Sequence, residues 1–472
     1  MTTEPPKFGT SGLRGLVTAL TPELVGAYAR AFLAACPTGG AVHLGWDLRP
    51  SSPAIAEAVT RALTGAGQDV ISHGALPTPA LALAAQEAGQ AAVMITGSHI
   101  PADRNGLKFY TPEGEITKAH ETAILGQLDA PAPENTGDTA PGTARDAGDS
   151  AARAYAARYV HAFGAEALSG LRIGVYQHSS VARDIMADVV TALGGTALPL
   201  ARSETFIPVD TEAVDPATRD QLAAWCRDHR LDALISTDGD ADRPMVTDAT
   251  GRIVPGDVLG PLTARMLGAH EVCTPVSSNT MVAQMPAFTA VQLTRIGSPF
   301  VIAAMEEALA RDPAARVVGY EANGGFLLGF AAQGPAGPLP ALMTRDCLLP
   351  ILAPLALARR AGQGLAALVA DLPPRFTAAD RLTGIAPEVS APFLDRLRSD
   401  PAARAGFFDA LGPEEALDLT DGLRLRFAGA EVVHLRPSGN APEFRCYAEA
   451  ASPDRAAELL DRHLGKLRAQ LQ

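Results

Sequence analysis

The sequence has no surplus of basic residues and no paired cysteines, and each absence excludes a class of protein. The formal net charge is −13 at pH 7, whereas binding along a nucleic-acid backbone needs clustered lysine and arginine. The five cysteines are far apart and never spaced as CxxC, so they predict neither a zinc site nor a disulfide framework. We therefore expect no nucleic-acid partner and a set of reduced, mostly buried thiols.

Membrane and export signals are missing as well. The sequence has no apolar run of membrane-spanning length, and residues 1–30 lack the basic start and long apolar core of a signal peptide. We expect a cytoplasmic protein with no membrane partner, working as a monomer or a small homo-oligomer.

The length and the patterning of the chain predict several domains built from similar units. With 472 residues, the chain is about three times the usual domain length. Residues 41–47 form a strand-like run, and residues 53–63 have helical periodicity. Strand, polar loop, helix and strand recur at residues 171–200 and, more weakly, at 272–293. This pattern indicates repeated α/β units with mixed or parallel sheets.

Two changes in composition indicate boundaries between units. Residues 129–151 are rich in Ala, Pro, Gly, Asp and Thr, which is typical of a linker or a surface excursion. At residues 371–376, DLPPRF, two prolines interrupt an Ala/Leu-rich helical stretch. The remainder of the chain predicts a smaller α+β domain that ends in a helix over residues 453–471.

The segment TGSHIPADRNGLKFY, residues 96–110, places Ser98 in a polar loop directly after the apolar run AAVMI. Loops at strand ends carry the chemistry of many α/β enzymes, so Ser98 is a candidate nucleophile; an ordinary turn serine is the alternative. His99 and Lys108 are candidates for proton transfer. Near the start, KFGTSGLRG combines three glycines with Arg14, which can bring backbone N–H groups and a guanidinium close to an anion.

A second polar loop, STDGDADR at residues 236–243, comes directly after another strand-like run. Its carboxylates recur at every second position: Asp238, Asp240 and Asp242. Carboxylates that face the same way can share one hard cation such as Mg²⁺. A calcium loop of the EF-hand type is excluded, because its sixth and twelfth positions hold Arg243 and Ala249 here instead of glycine and glutamate. A solvated acidic turn is the remaining alternative.

Two further loops carry polar side chains beside glycine. In VVGYEANGGFLLG, residues 317–329, Glu321 and Asn323 suit sugar hydroxyls, and a plain glycine-bearing hairpin is the alternative. In VVHLRPSGNAPEFRCY, residues 432–447, guanidinium, hydroxyl and amide groups form a candidate phosphate cradle, and a salt-bridged hairpin is the alternative.

The motifs TGSHIP, DGDADR, YEANGG and RPSGNAPE occur in this order, and the chain thereby resembles the α-D-phosphohexomutase family of phosphomannomutases and phosphoglucomutases. The resemblance runs from Phe8 to about Tyr447. It implies an α/β protein with a heart-shaped, four-domain architecture: three similar α/β domains with mixed sheets and a smaller C-terminal α+β domain. The expected domains are 1–150 with the phosphoserine loop, 151–256 with the metal loop, 257–372 with the sugar loop and 373–472 with the phosphate loop.

The resemblance also implies an isomerase that transfers a phosphoryl group within a hexose phosphate. A phosphoserine at Ser98 would interconvert mannose 6-phosphate and mannose 1-phosphate through a hexose 1,6-bisphosphate, which also serves as activator; phosphoglucomutase activity is the second activity to test. The implied catalytic residues are Ser98, His99, Lys108 and Arg14. The implied Mg²⁺ ligands are Ser98, Asp238, Asp240 and Asp242. The implied sugar-binding residues are Arg243, Glu321 and Asn323. The implied phosphate-binding residues are Arg436, Ser438, Gly439, Asn440 and Arg445.

The chain departs from the family pattern around the sugar. Ile100 replaces a common asparagine, Asn323 a common serine, and Gly325 and Ser298 replace histidines that many relatives carry. The sugar preference therefore stays open, with a phosphoglucosamine mutase as one alternative. A non-catalytic sugar-phosphate binding protein is another, although such a protein has no use for a phosphorylatable serine.

Overall fold

The structure is a computed structural model that describes residues 5–9, 11–128, 140–438 and 443–472. The first domain is a mixed sheet with helices around it. Its strands are β1 (Lys7–Phe8), β2 (Leu13–Leu16), β3 (Ala41–Trp46), β4 (Asp69–Ala75), β5 (Ala91–Ile95), β6 (Arg104–Thr111), β7 (Gly114–Glu115) and β8 (Ala144–Asp146). Its helices are α1 (Pro22–Ala35), α2 (Ser52–Gly65), α3 (Thr78–Glu87) and α4 (Lys118–Leu128), with a 3₁₀ turn at Val17–Ala19.

The strand order in this sheet is β1-β2-β6-β5-β3-β4-β8, and β7 pairs with β6. Strands β4, β3 and β5 are parallel, whereas β6 and β2 run antiparallel to their neighbours. Residues 140–151 of the predicted linker include β8, which pairs with β4, while residues 129–139 lie outside the described part of the chain.

The second domain repeats the central part of this arrangement. Its elements are α5 (Ser150–Phe163), β9 (Arg172–His178), α6 (Arg183–Ala192), β10 (Thr196–Arg202), α7 (Pro216–His229), β11 (Ala233–Thr237), β12 (Pro244–Thr247) and β13 (Ile253–Val254). The strand order is β10-β9-β11-β12-β13, with two parallel pairs followed by two antiparallel pairs.

The third domain has the same order and the same directions. Its elements are α8 (Gly256–Leu267), β14 (Glu271–Pro275), β15 (Ala290–Thr294), α9 (Ser298–Arg311), β16 (Val317–Tyr320), β17 (Phe326–Leu328), β18 (Ala332–Gln333), β19 (Pro338–Leu339), β20 (Leu342–Asp346), α10 (Leu348–Arg360) and α11 (Leu365–Ala370). The order is β15-β14-β16-β17-β20, and β18 and β19 form a separate hairpin. The predicted repeat is thus confirmed, although the weak third copy joins its strands through a 3₁₀ helix, Thr280–Gln284.

The fourth domain is antiparallel. Its elements are β21 (Phe376–Thr383), α12 (Pro387–Ser399), α13 (Pro401–Phe407), β22 (Glu414–Asp418), β23 (Leu423–Phe427), β24 (Val432–Pro437), β25 (Glu443–Ala450) and α14 (Pro453–Leu471). The strand order is β21-β25-β24-β23-β22. Helix α14 begins with Pro453 after Ser452, whose side chain accepts from Arg455 N, an arrangement typical of a capped helix start.

The apolar cores show which domains share one packed interior. One buried apolar cluster includes Leu81 of α3, Tyr155 of α5, Ile173 of β9 and Leu352 of α10, so it joins the first three domains. The fourth domain packs its own separate cluster. The five cysteines are buried free thiols, as predicted. Within the described residues, no helix combines the length and the apolar character that crossing a membrane requires.

Candidate active site

Ser98 lies in the loop after β5, close to the acidic loop of the second domain. Its Oγ donates to Asp238 Oδ2 at 2.5 Å and lies 3.3 Å from His99 Nδ1. Its φ of 53° is in the left-handed region, which costs a residue with a side chain about 1–2 kcal/mol. Its backbone N–H donates to Thr96 Oγ1 at 2.7 Å, and this bond helps to hold the strained conformation.

The buried side chain of Arg49, a residue that is 1% exposed, supports this loop. Its guanidinium donates to the carbonyl oxygens of Ser98 (2.9 Å), Ile100 (2.6 Å), Pro101 (2.7 Å) and Arg104 (3.0 Å). Asp47 balances its charge at 3.1 Å and also accepts from Thr96 Oγ1 at 2.8 Å. A Cβ on Gly97 would lie 2.5 Å from Arg49 Cζ, so only glycine allows this contact. The loop is therefore held in one shape by a buried cation.

The three aspartates among the four predicted metal ligands converge in the loop between β11 and β12. Asp238, Asp240 and Asp242 are buried, and each offers a carboxylate oxygen within 4.8 Å of the other two. The segment is a curled loop, with Ala241 at a φ of 57°. Three buried carboxylates at this distance repel one another unless cations compensate them.

The oxygens of two of these carboxylates divide into satisfied and unsatisfied atoms. Lys108 Nζ donates to Asp240 Oδ2 and to Asp242 Oδ2, both at 2.6 Å, and Thr78 Oγ1 donates to Asp240 Oδ2 at 2.7 Å. The Oδ1 atoms of Asp240 and Asp242 are buried and have no hydrogen-bond partner among the described residues. Unsatisfied carboxylate oxygens beside a serine hydroxyl are the donor set that Mg²⁺ prefers, so the residues fit a bound divalent cation.

The other predicted catalytic residues surround this cluster. Arg14 on β2 is partly buried, and desolvation lowers the pKa of its guanidinium to about 10, which leaves it cationic at neutral pH. Burial, with the charge of Arg243 next, lowers the pKa of His99 to about 3, so its imidazole is neutral. The charges of Asp210 and Arg445 also act on this pKa, which places the loop after β10 and the fourth domain near the site. Arg243 Nε lies 3.8 Å from Asp242 Oδ1.

The predicted sugar loop is the turn between β16 and β17. Glu321 is 3% exposed, and its Oε2 lies 3.3 Å from Arg345 Nη1, while Arg345 Nη2 lies 2.7 Å from Asp242 Oδ2. Arg345 therefore joins the sugar loop to the metal loop. Asn323 Oδ1 accepts from Gly325 N at 3.0 Å and so holds the turn.

The predicted phosphate loop is the β24–β25 hairpin. Arg436 Nε lies 3.1 Å from Asp421 Oδ1, and Asp421 Oδ2 accepts from Ile296 N of the third domain at 2.9 Å. Arg445 Nη2 lies 3.4 Å from Glu443 Oε2. Ser438 N donates to Glu443 O at 2.8 Å. Gly439 and Asn440 lie outside the described residues.

Sequence reasoning did not find several polar residues of this site: Asp47, Arg49, Thr78, Asp210, Arg345 and Glu212, whose pKa responds to the charges of Arg445 and Asp210. Asp47 and Arg49 come directly after β3, so the rule that placed Ser98 at a strand end also applies to them. Arg345 is a charged residue inside a mostly buried strand. Charged residues are rarely buried unless they are paired, so its position in this strand was the available signal.

Family models agree with this architecture. Residues 5–134, 153–251 and 255–376 match domains I, II and III of phosphoglucomutase/phosphomannomutase, each described as an alpha/beta/alpha domain. A phosphomannomutase from Sinorhizobium fredii is 45% identical, with 99% of each chain covered. A phosphomannomutase from Salmonella muenchen is 40% identical, covering 98% of this chain and 96% of the relative.

A solved structure supports the same fold. The chain superposes on a phosphoglucomutase/phosphomannomutase family protein from Burkholderia thailandensis with a TM-score of 0.76 and 22% identity, covering 98% of this chain and 97% of that one. The heart-shaped, multi-domain α/β architecture predicted from the motifs is thus confirmed. With three domain models and relatives at 40–45% identity over almost its whole length, the chain belongs to the phosphoglucomutase/phosphomannomutase family.

Proposed function

We propose that the protein is a phosphomannomutase that interconverts mannose 6-phosphate and mannose 1-phosphate through a phosphorylated Ser98. The observation that carries this proposal is the contact of Ser98 Oγ with Asp238 beside two carboxylates that each keep an unsatisfied oxygen. The names of the two relatives at 40–45% identity support mannose as the sugar.

The reaction balances as two phosphoryl transfers. In the first, the bond from phosphorus to Ser98 Oγ breaks, a hydroxyl oxygen of the hexose phosphate forms the new bond, and the hydroxyl proton passes to a base. The resulting hexose 1,6-bisphosphate turns over in the cleft. In the second transfer, the bond from the other phosphorus to its sugar oxygen breaks, Ser98 Oγ forms the new bond, and the proton returns from the base to the freed sugar oxygen, which gives the positional isomer and restores the phosphorylated Ser98.

The residues of the site divide this work. Mg²⁺ held by Ser98, Asp238, Asp240 and Asp242 would neutralise the charge that develops on the phosphoryl oxygens. Lys108 holds the Oδ2 atoms of Asp240 and Asp242, so their Oδ1 atoms stay free for the cation. Arg14 would stabilise the transferring group as a partly buried cation, and the neutral His99, 3.3 Å from Ser98 Oγ, would form a hydrogen bond with that oxygen.

Binding of the substrate falls to the other two loops. Glu321 and Asn323 would contact the sugar hydroxyls, together with Arg243 at the end of the metal loop. The phosphate that does not react would be held by the fourth domain, through Arg436, Ser438, Gly439, Asn440 and Arg445. Arg436 would then exchange Asp421 for the substrate phosphate, since both are anions that suit a guanidinium.

We further propose domain limits at residues 1–150, 151–256, 257–372 and 373–472. The four large sheets, each of which falls within one of these ranges, support the limits. A hexose 1,6-bisphosphate as activator, a cytoplasmic location and a monomer or small homo-oligomer complete the proposal.

A panel of coupled assays tests the function. Mannose 1-phosphate, glucose 1-phosphate and glucosamine 1-phosphate are each supplied with Mg²⁺ and the matching bisphosphate, with Ser98→Ala as the inactive control. The proposal predicts the highest kcat/KM for mannose 1-phosphate. A preference for glucosamine 1-phosphate would favour a phosphoglucosamine mutase, and turnover of none of the three would overturn the mutase assignment.

A further inference from the structure

Arg345 occupies the space beside the sugar loop where a side chain at position 325 would otherwise lie. An ideal Cβ built on Gly325 would be 2.8 Å from Arg345 Cδ, 2.9 Å from its Cγ and 3.1 Å from its Cβ. Real Cβ atoms do not approach other carbon atoms so closely, so glycine at 325 and the stem of Arg345 fit together as a pair.

The head of Arg345 reaches three different loops. Nη1 lies 3.3 Å from Glu321 Oε2, and Nη2 lies 2.7 Å from Asp242 Oδ2 and 3.4 Å from Ser11 Oγ. The side chain is only 5% exposed, and its Nε is buried without a hydrogen-bond partner among the described residues. A buried guanidinium that keeps an unsatisfied donor beside a substrate loop has capacity for one more acceptor.

Hydrogen bonds to the residue after Arg345 hold the end of its strand in place. The next residue, Asp346, accepts from Tyr155 OH at 2.5 Å and from Leu348 N at 3.0 Å, and Tyr159 OH also donates to it. Both tyrosines are fully buried in α5. This anchor keeps the backbone at Arg345 in one place, so the position of the guanidinium does not depend on a mobile segment.

We propose that Arg345 is a substrate-positioning residue, which sets the Glu321 carboxylate for the ring hydroxyls of the hexose phosphate and ties it to the metal ligand Asp242. A carboxylate held on one oxygen by a guanidinium keeps its other oxygen for a hydroxyl donor. The fork geometry matters, because lysine offers a single point of charge and cannot face two carboxylates in the same way. The inference rests on the proposed function and adds the device that orients the sugar.

The test separates recognition of the sugar from recognition of phosphate. In a Ser98→Ala background, which prevents transfer, calorimetry measures the binding of mannose 1-phosphate and of inorganic phosphate in the presence of Mg²⁺. Adding Arg345→Met is expected to weaken the binding of mannose 1-phosphate by about 10- to 100-fold, which corresponds to the loss of a hydrogen bond to a charged group. The affinity for inorganic phosphate is expected to stay unchanged. Arg311→Met is the matched control, since Arg311 pairs with Glu271 on the surface of the same domain.

A double-mutant cycle with Glu321→Gln tests whether Arg345 acts through Glu321. The proposal predicts that Arg345→Met adds little once Glu321 is changed. Three results would each overturn the proposal: additive losses of affinity from the two substitutions, an unchanged affinity for mannose 1-phosphate in Arg345→Met, or an equal loss of affinity for inorganic phosphate.

Two milder variants keep the test informative if Arg345→Met does not fold. Arg345→Lys keeps the charge and is expected to recover part of the affinity. Gly325→Ala leaves Arg345 in the chain but displaces its aliphatic stem. We expect this variant to bind mannose 1-phosphate more weakly while its affinity for inorganic phosphate is unchanged. Full affinity in both would contradict the proposal.

Failure of the proposed function gives a different result. If hexose phosphates bind but the enzyme with Ser98 does not turn them over, the mutase assignment fails. The double-mutant cycle of Arg345 and Glu321 can then still be measured from binding, and it still tests the role of Arg345. A Ser98→Ala parent that binds inorganic phosphate but none of the hexose phosphates contradicts both.

Discussion

The first and third domains each place an arginine against a glycine of a loop that carries predicted site residues, the β5–β6 loop in the first domain and the β16–β17 turn in the third. In the first domain Arg49 packs on Gly97, and in the third Arg345 packs on Gly325. Arg49 gives most of its hydrogen bonds to backbone carbonyls of its own domain, whereas Arg345 faces carboxylates of two loops. Gly97 faces the guanidinium of Arg49 and Gly325 faces the stem of Arg345, so a close arginine–glycine contact fixes the shape of the serine loop in one domain and accompanies the link from the sugar loop to the metal loop in the other.

The second domain uses the equivalent loop for the metal ligands. A Cβ on Gly239 would lie 3.1 Å from the ring of Phe206, and this ring stacks on Arg49 with 4.1 Å between the guanidinium carbon and the ring centroid. Three copies of one supersecondary unit thus present the proposed nucleophile, the candidate cation site and the proposed sugar contact from corresponding loops. The comparison teaches that the chemistry is divided among repeated loops, and that each loop is supported by a side chain from outside it.

The largest effect is expected from the loop of the second domain. Asp238→Asn keeps the shape of the side chain but removes a charge, so we expect turnover to fall by roughly 10²–10³-fold, as for loss of one electrostatic contact to a transition state. Calorimetry with Mg²⁺ in the absence of substrate should show weaker binding.

The control is Asp248→Asn directly after β12, because Asp248 Oδ1 accepts from Thr250 and Arg252 and so holds a turn. Equal Mg²⁺ affinity in the wild type and in Asp238→Asn would contradict the assignment of this cluster as the cation site.

Arg49→Lys breaks the support of the serine loop. Lysine cannot reach the four carbonyl oxygens that the guanidinium reaches, so we expect about a 10- to 100-fold loss of kcat, the effect of a misplaced reacting group, together with a lower melting temperature. Arg61→Lys, in an exposed pair with Glu57, is the matched control. A variant with normal kcat would show that the contacts of Arg49 serve stability alone.

Gly97→Ala tests the arginine–glycine packing directly. The new Cβ would lie 2.5 Å from Arg49 Cζ, and overpacking of this kind costs about 1–3 kcal/mol of stability. Gly126→Ala in α4 is the control: nothing lies within 4 Å of its Cβ, and alanine in a helix should add about 0.5–1 kcal/mol. Thermal unfolding of both variants measures the difference, and an equal rise in melting temperature would refute close packing at Gly97.

The smallest effect is expected at the start of α8, which packs against the sugar loop of the third domain. A Cβ on Gly256 would meet Gly324 N at 2.2 Å, and the next residue, Asp257, accepts from Asn279 N at 2.9 Å. Burial raises the pKa of Asp257 to about 7. The stability linked to this proton is therefore complete below about pH 4, the unfolded pKa, and is lost as the pH rises through 7.

Asp257→Asn removes this dependence. We expect the variant to gain melting temperature relative to the wild type between pH 5 and pH 8, by roughly a few degrees. A constant difference between the two proteins at both values would mean that Asp257 does not titrate in this range.

Local elements were predictable from the sequence because their patterns are local. The strand Ala91–Ile95 and the helix Pro453–Leu471 have the bounds that the apolar run and the helical periodicity predict. The order of the motifs predicted the fold, and the alternating aspartates predicted one cluster. The bend that brings them together needs Ala241 in the left-handed region, and the alternation of aspartates does not show this.

The partners of these loops were not predictable in the same way. Arg49 and Arg345 act on residues far along the chain, and no local pattern shows which loop a distant side chain will support. Their signals were a charge after a strand and a charge within a strand, and both become meaningful only when the sheets are paired. The roles of the predicted site residues remain predictions for the proposed variants to test.

The central claim is that Ser98 carries the phosphoryl group, and mass spectrometry tests it most directly. The protein is incubated with Mg²⁺ and mannose 1,6-bisphosphate, and its intact mass and peptides are measured beside those of Ser98→Ala. The account predicts one added phosphoryl group, located on the peptide that contains Ser98 and absent from the variant. A phosphoryl group on another residue, or none on either protein, would contradict it.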